Sequence, residues 1–288
     1  MLSLYAQSTD KPFIAVESEV RAVMAEVANR KPLKLLVEER RRRILDLLDE
    51  EDRVTVEDLV ERFDVSAVTI RGDLDALAGG GSLVRSHGGA LKRLDDGDIR
   101  ISVKETLNHR EKLRIGHAAA RLIRRGDTII LDSGTTTAEI AKQIKLLKLD
   151  ALTVVTNGLN VAMHLADLPQ VRLIVIGGMM RHMSYSTVGP QAEQMLSGLT
   201  ADHLFLGVDG LDPQVGLTTP DVLEAQLNSL MIRVAREVTV VADSSKFSKR
   251  SLSVIAGIGD VRRVITDHEA DPQMVSTLRE RGIDVMLV

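Results

Sequence analysis

Seven short runs between residues 128 and 287 are so continuously apolar and β-branched that a folded chain has to bury them. They are Thr128–Leu131, Leu152–Thr156, Arg172–Ile176, Leu204–Val208, Val238–Ala242, Val261–Thr266 and Asp284–Leu287. A strand with one wet face alternates apolar and polar residues. Most of these do not, and helical patterns lie between them, so the pattern predicts an α/β domain whose largely parallel sheet is covered by helices on both sides.

Upstream the pattern changes to three short helices and a glycine-bounded hairpin. The first helix carries Arg40–Arg43 and then Ile44, Leu47 and Leu48 on one face. The second opens at Thr55, with Asp58 placed for a capping box, and buries Val56, Leu59, Val60 and Phe63 at helical spacing. Asp64 and Val65 form a tight turn, Ser66 caps the third helix, and Ile70, Leu74 and Leu77 point inward before the Gly79–Gly81 stop. Leu83–Arg85 then reads as a strand that Gly88-Gly89 turns back toward Ala90 and Leu91, the pattern of a wing. Residues 92–104, polar and weakly patterned, are expected to link this segment to the α/β domain at 105–288. Residues 1–35 form an extension with one candidate helix, Glu17–Asn29, bounded by Pro12 and Pro32.

Composition excludes several function classes. A chain of 288 residues with 44% hydrophobic residues can bury one or two cores. Aromatic residues are 2% and Trp is absent, which leaves few rings for stacking on single-stranded nucleic acid. The lack of Cys removes disulfides, thiolate zinc and thiol catalysis, and fits a cytoplasmic compartment. No secretion signal and no run of about 18 apolar residues occurs, so no membrane partner is expected. The seven His show no paired metal spacing, and neither a metal nor another cofactor is expected.

A helix that enters a major groove presents small or hydrogen-bonding residues on its outward N-terminal face. Ser66, Ala67, Thr69 and Arg71 meet that requirement, and Arg85 and His87 on the wing would lie along the DNA backbone or minor groove. Residues 30–93 hold 13 Lys+Arg and 13 Asp+Glu, so a basic face depends on where the Arg residues fall. Periodicity alone leaves two readings open, a DNA-binding unit and a small helical domain with a solvated charged face.

The stretch Arg43-Ile44-Leu45, Val54–Leu59, Phe63–Ser66, Thr69-Ile70-Arg71-Gly72-Asp73-Leu74 and Arg85–Ala90 resembles the winged helix-turn-helix of the DeoR family of bacterial sugar-metabolism repressors. That resemblance implies operator contacts at Thr69, Arg71 and Arg85. Gly72 stands where the family usually has a second Arg, which removes a possible phosphate contact and costs a helix interior up to about 1 kcal/mol relative to Ala.

In the α/β domain the first strand runs into Asp132-Ser133-Gly134-Thr135-Thr136-Thr137 and a helix. Turned backbone amides, a helix N-terminus and hydroxyls suit an anion, although a well-capped βα turn reads the same way. Polar loops recur at other expected strand ends: Thr156-Asn157-Gly158, Gly177-Gly178, Asp209-Gly210 and Asp243–Lys246. In an open α/β sheet such ends converge on one crevice. Lys246 would supply a point charge for phosphate, and Asp209 and Glu224 would accept hydrogen bonds from sugar hydroxyls.

These segments resemble the DeoR C-terminal sensor domain, which is similar in fold to ribose-5-phosphate isomerase and hexosamine-phosphate deaminase. The likeness is nearest to the AgaR-type amino-sugar branch, through Leu131–Thr137, Phe205–Asp209 and Ser244–Phe247. It implies a small phosphorylated sugar as effector. The chain is thus expected to be a repressor of a carbohydrate operon, binding double-stranded operator DNA as a homodimer or homotetramer. A sugar-phosphate isomerase with Glu224 or Asp209 as base and Lys246 as electrophile is the alternative from the residues alone, and the fused winged helix argues against it.

Overall fold

The computed structural model describes residues 36–51, 53–79, 82–86, 88–92, 98–147 and 151–288. The candidate helix at Glu17–Asn29 and the acidic stretch at 95–97 lie outside them. Internal contacts divide the chain into two compact units that part between Ala90 and Leu91.

The N-terminal unit holds α1 (Val37–Glu51), β1 (Arg53–Thr55), α2 (Val56–Phe63), α3 (Ala67–Gly79), β2 (Leu83–Ser86) and β3 (Gly89–Lys92), the last crossing the boundary. Its core is Ile44 and Leu48 from α1, Val56 and Leu59 from α2, and Ile70 and Leu74 from α3. These are inward positions that helical spacing predicts. Thr55 caps α2, accepting the Asp58 amide at 3.1 Å, while its own hydroxyl donates to the Asp58 carboxylate at 2.6 Å. Asp64 ends α2 in a left-handed conformation, φ 50°, which short polar side chains tolerate. The wing has three strands in the order β1-β3-β2, one more than its sequence suggests. A Cβ at Gly89 would come within 2.1 Å of the Val54 carbonyl oxygen, so only glycine lets β3 lie against β1.

The C-terminal unit contains α4 (Ile101–Lys104), α5 (His109–Ala120), β4 (Thr128–Leu131), α6 (Thr135–Leu147), β5 (Leu152–Thr156), α7 (Leu159–Leu165) and β6 (Val171–Val175). It continues through β7 (Met179–Arg181), β8 (Ser186–Val188), α8 (Pro190–Ser197), β9 (Ala201–Leu206), β10 (Gly210–Asp212) and β11 (Gly216–Thr219). The last elements are α9 (Val222–Val234), β12 (Ala235–Val241), β13 (Ser253–Ala256), β14 (Arg263–Thr266), α10 (Pro272–Glu280) and β15 (Asp284–Leu287). Seven strands, all parallel, run in the order β15-β14-β12-β9-β4-β5-β6. They are the seven apolar runs.

Alternate residues explain why those runs lack polar positions. Ile129 and Leu131 of β4 enter one core with α5, α6 and α7, whereas Ile130 enters the other with α8, α9 and α10; Phe205 and its neighbours Leu204 and Leu206 divide likewise. Both faces of the sheet are therefore covered. Two antiparallel additions have no counterpart in the sequence reading: the hairpin β7–β8 and the three-stranded sheet β10-β11-β13. Each strand in them is three or four residues long, too short for a periodicity to show.

Successive strands step outward in one direction from β4 through β5 to β6 and in the other from β9 through β12 and β14 to β15. The order reverses between β4 and β9. At such a switch point the loops leaving the two strands diverge and open a crevice.

Candidate functional site

In the N-terminal unit, α3 shows two unlike faces. Ile70 and Leu74 are buried, and so is Asp73, whose two carboxylate oxygens accept from Arg40 Nε at 2.6 Å and Arg41 Nε at 3.0 Å. Two members of the Arg40–Arg43 run thus tie α1 to α3 instead of standing free, and Arg43 reaches Glu39 at 3.1 Å. The opposite face of α3 carries Val68, Arg71, Gly72 and Asp75, all exposed. Val68 is 76% exposed, an apolar side chain left in water at the start of a helix. A Cβ at Gly72 would meet nothing within 4 Å.

Ser66 caps α3, accepting the Thr69 amide at 3.2 Å with the two hydroxyls 2.9 Å apart. Ala67 and Thr69 are half-buried beside it. Arg85 donates to Asp75 at 2.7 Å and to the Gly89 carbonyl at 2.7 Å, so it fastens the wing to α3 as well as facing outward. His87 lies outside the described residues.

In the C-terminal unit, Asp132 sits at the end of β4, at the switch point. One oxygen accepts from the Gly134 amide at 3.0 Å and the Thr137 hydroxyl at 2.6 Å, and the other from the Gly207 amide at 3.0 Å, just beyond β9. Burial pushes its pKa up to about 6 against these three donors. Its contacts are internal: it sets the spacing of the two loops. Ser133, Thr135 and Thr136 are buried in the same turn, and a Cβ at Gly158 would come within 2.7 Å of Ser133 Cα. Only glycine lets the β5 loop close on the β4 loop. In that loop the Thr156 hydroxyl accepts the Gly158 amide at 3.0 Å, and Asn157 donates to the Thr187 carbonyl at 3.1 Å while its buried Oδ1 has no hydrogen-bond partner.

Beside this turn lies a network of buried charges. Lys104 Nζ is 2.8 Å from Asp209 Oδ1 and donates to Oδ2 at 3.0 Å, and Lys246 approaches the same carboxylate at 3.5 Å. Burial alone would raise Asp209, but Lys104 and Lys246 hold it down at about 2. Arg181, 10% exposed, meets Asp98, Asp221 at 3.2 Å and Glu224 at 3.3 Å. For Glu224 burial outweighs Arg181 and pushes its pKa up to about 7, with Asp209 adding repulsion. Lys112, also buried, donates to the Lys104 and Leu107 carbonyls; burial brings it down to about 8, with Asp243 resisting.

Asp132, Ser133, Gly134, Thr135, Thr136, Thr156 and Asn157 form the wall of interlocked loops; Asp209, Glu224 and Lys246 belong to the charge network. Gly177 and Gly178 do something else. They are exposed and turn the chain into β7; Gly178 has φ 152°, with the Val188 carbonyl oxygen 2.7 Å from where its Cβ would be. Sequence reasoning missed Asp98, Lys104, Asn108 and Arg181. The first two fall within residues 92–104, read as a linker, yet residues 98–104 pack into the C-terminal unit. Arg181 lies in the unforeseen hairpin.

The arrangement offers hydroxyls and a helix N-terminus on one side, and paired carboxylates with Lys and Arg on the other. It is suited to a small polyhydroxylated molecule with an anionic group. Among the described residues no cluster of three or more His, Asp or Glu is placed to hold a metal ion, and no helix is long and apolar enough to cross a membrane.

Family models match both units: the DeoR-like helix-turn-helix domain over residues 40–93, and the DeoR C terminal sensor domain over residues 107–268. The chain is 40% identical over 229 residues to the "Putative aga operon transcriptional repressor" of Escherichia coli O157:H7, spanning 78% of this chain and 84% of that one. It is 32% identical over 228 residues to the glycerol-3-phosphate regulon repressor of Escherichia coli (strain K12), spanning 79% and 90%. Among solved structures, ribose 5-phosphate isomerase A from Methanocaldococcus jannaschii aligns over 49% of this chain and 56% of its own at 19% identity, with a TM-score of 0.37, too distant to bear on function.

Proposed function

We propose that this chain, which belongs to the DeoR family of transcriptional regulators, represses a carbohydrate catabolic operon and is released from or modulated on its operator by a phosphorylated sugar. Regulator of transcription, not enzyme, is its class. The observation that carries the effector reading is the convergence, at the switch point between β4 and β9, of the Asp132–Thr137 turn with the Lys104–Asp209–Lys246 and Arg181–Glu224 pairs. Ser133, Thr135 and Thr136 and the first turn of α6 would take the phosphate with Lys246, while Asp209 and Glu224 would accept sugar hydroxyls. The relative named for an aga operon makes amino-sugar phosphates the first to try.

The DNA-binding unit is residues 36–91 in this reading, with the exposed face of α3 entering the major groove. Ser66, Ala67 and Thr69 would approach the backbone or a thymine methyl, Arg71 a guanine edge or phosphate, and the wing Arg85 and His87 the flanking backbone. Homodimers or homotetramers would set two recognition helices one helical turn, or a multiple of it, apart. The sugar would act only through its different affinity for the DNA-competent and DNA-released states.

The test is gel retardation of the full chain on DNA upstream of its own and neighbouring genes, with amino-sugar, pentose and hexose phosphates added in turn. One class is expected to alter retardation at concentrations where the unphosphorylated sugar does not. Retardation that no phosphosugar changes would overturn the effector reading, and absence of any specific retardation would overturn the repressor reading.

A further inference from the structure

Arg181 is nine-tenths buried and spends its guanidinium on three carboxylates at once: Asp98, Asp221 and Glu224. Asp221 and Glu224 have posts of their own. Asp221 caps α9 by accepting the Glu224 amide at 2.8 Å, and Glu224 is held within the first turn of that helix. Asp98 has no such post. It precedes α4 on a segment without regular structure, and only its side chain reaches into the charge network.

That side chain is poorly satisfied there. One of its oxygens meets Arg181, but the other, Oδ1, is buried without a hydrogen-bond partner, with Lys104 Nζ 3.9 Å from it. Burial and the Asp209 charge raise the pKa of Asp98 even with two cations beside it. A buried carboxylate oxygen with no donor has lost its hydration without a hydrogen bond in return, so its place is held at a cost. An oxyanion free to adjust its position could accept from Arg181 and Lys104 together.

The segment that follows Asp98 is bonded to the charge network at several points. Lys104 meets Asp209, Asn108 donates to Asp243 at 2.8 Å and to Ser245 at 3.1 Å, and Lys112 holds the Lys104 and Leu107 carbonyls. Residues 98–108 thus form a strap along the charge network, with Asp98 at its N-terminal end among the described residues. Lys92, the last residue of the wing, precedes it by six positions.

We propose that Arg181 and Lys104 form an oxyanion subsite for the effector, and that Asp98 occupies this subsite as an internal stand-in which the effector's carboxylate or phosphate oxygens displace. The inference rests on the effector reading of the same crevice and adds to it a subsite away from the Ser133–Thr136 turn. Its ligand is an oxyanion at the end of the sugar that meets Arg181. Displacement frees the end of the strap nearest the DNA-binding unit in sequence.

The test uses the full chain and inorganic phosphate as probe, with thermal stabilisation giving the half-saturating concentration. Removing an internal competitor that fills the subsite most of the time lowers the apparent dissociation constant by the fraction of time it was blocked. Asp98→Asn is therefore expected to lower half-saturating phosphate about tenfold. The gain should vanish in Asp98→Asn/Arg181→Gln and be partly kept in Asp98→Asn/Arg181→Lys, which preserves the charge but not the fork.

An unchanged half-saturating concentration in Asp98→Asn overturns the proposal. So does an equal gain with and without Arg181, which would mark a general effect of net charge. Should Arg181→Gln prevent folding, the Arg181→Lys pair decides alone. The two readings also separate: phosphosugar control of DNA retardation untouched by Asp98→Asn sinks the subsite and leaves the effector function, whereas an Arg181-dependent gain with no phosphosugar response on DNA does the reverse.

Discussion

The two units keep their functional side chains in opposite conditions. On α3, Arg71 and Val68 stand exposed and the space around Gly72 is empty, while the inward face is locked by Ile70, Leu74 and the Asp73–Arg40–Arg41 triad. In the crevice of the C-terminal unit the charged side chains are paired from the start: Lys104 with Asp209, Arg181 with Glu224, Asp132 with three donors. A face for a large, rigid, charged partner can be left open to water, because the partner supplies the counter-charges. A site for a small ligand that buries its ions has to satisfy them internally whenever the ligand is away.

The contrast breaks most sharply at Asp73. Asp73→Ala removes the one carboxylate that Arg40 and Arg41 share and is expected to destabilise the N-terminal unit by about 3–5 kcal/mol, the usual cost of opening a buried pair. Operator retardation should be lost on warming while phosphosugar binding by the C-terminal unit persists; a variant as stable as the parent would mean the triad holds nothing. Next comes Arg71→Ala, expected to cost about 1–3 kcal/mol in operator affinity with no change in thermal stability, since Arg71 makes no contact that folding needs. Ser66→Ala should cost the unit about 1 kcal/mol through the lost cap. Gly72→Arg is the gain-of-contact counterpart: the plot of log affinity against log salt should steepen by about 1 if the position faces phosphate, and stay parallel if it does not.

The crevice is tested through pH. A group whose folded pKa lies above its unfolded value contributes stability that is full below the unfolded value and lost as pH rises through the folded one. For Glu224 that window runs from 4.5 to about 7. Asp132 adds to it between 3.8 and about 6. Asp209, held at about 2, acts only in strong acid. Lys112, brought down to about 8, gains stability for the fold as pH rises from there toward 10.5. The difference in thermal stability between the parent and Glu224→Gln should therefore change across pH 4.5–7, with the parent losing ground as pH rises; a difference flat over that range would remove Glu224 from the buried set.

What was legible in the sequence follows the same division. The seven sheet strands were readable because both faces are buried, which writes a continuous apolar run. The helices of the N-terminal unit were readable through Thr55 and Ser66, whose caps are local, and through 3.6-residue spacing. Asp132, Asp209 and Lys246 could be singled out as candidates because each follows a strand end, whereas Glu224 stands in the first turn of α9. Lys104 and Arg181 were not: the partner of Lys104 lies 105 residues away, and Arg181 sits on a strand of three residues. Gly177 and Gly178 were ambiguous for the complementary reason, since a glycine pair at a strand end suits a ligand cradle and a backbone turn alike. Ion pairs made across such separations leave no periodicity, and only topology brings them together.

The triad beneath α3 also bears on how such a protein diversifies. Because Asp73, Arg40 and Arg41 fix the helix from behind, residues 68, 71 and 72 can be exchanged without disturbing the fold that presents them. Exchanges there alter what the helix presents to water, while the core and the triad keep its place in the fold.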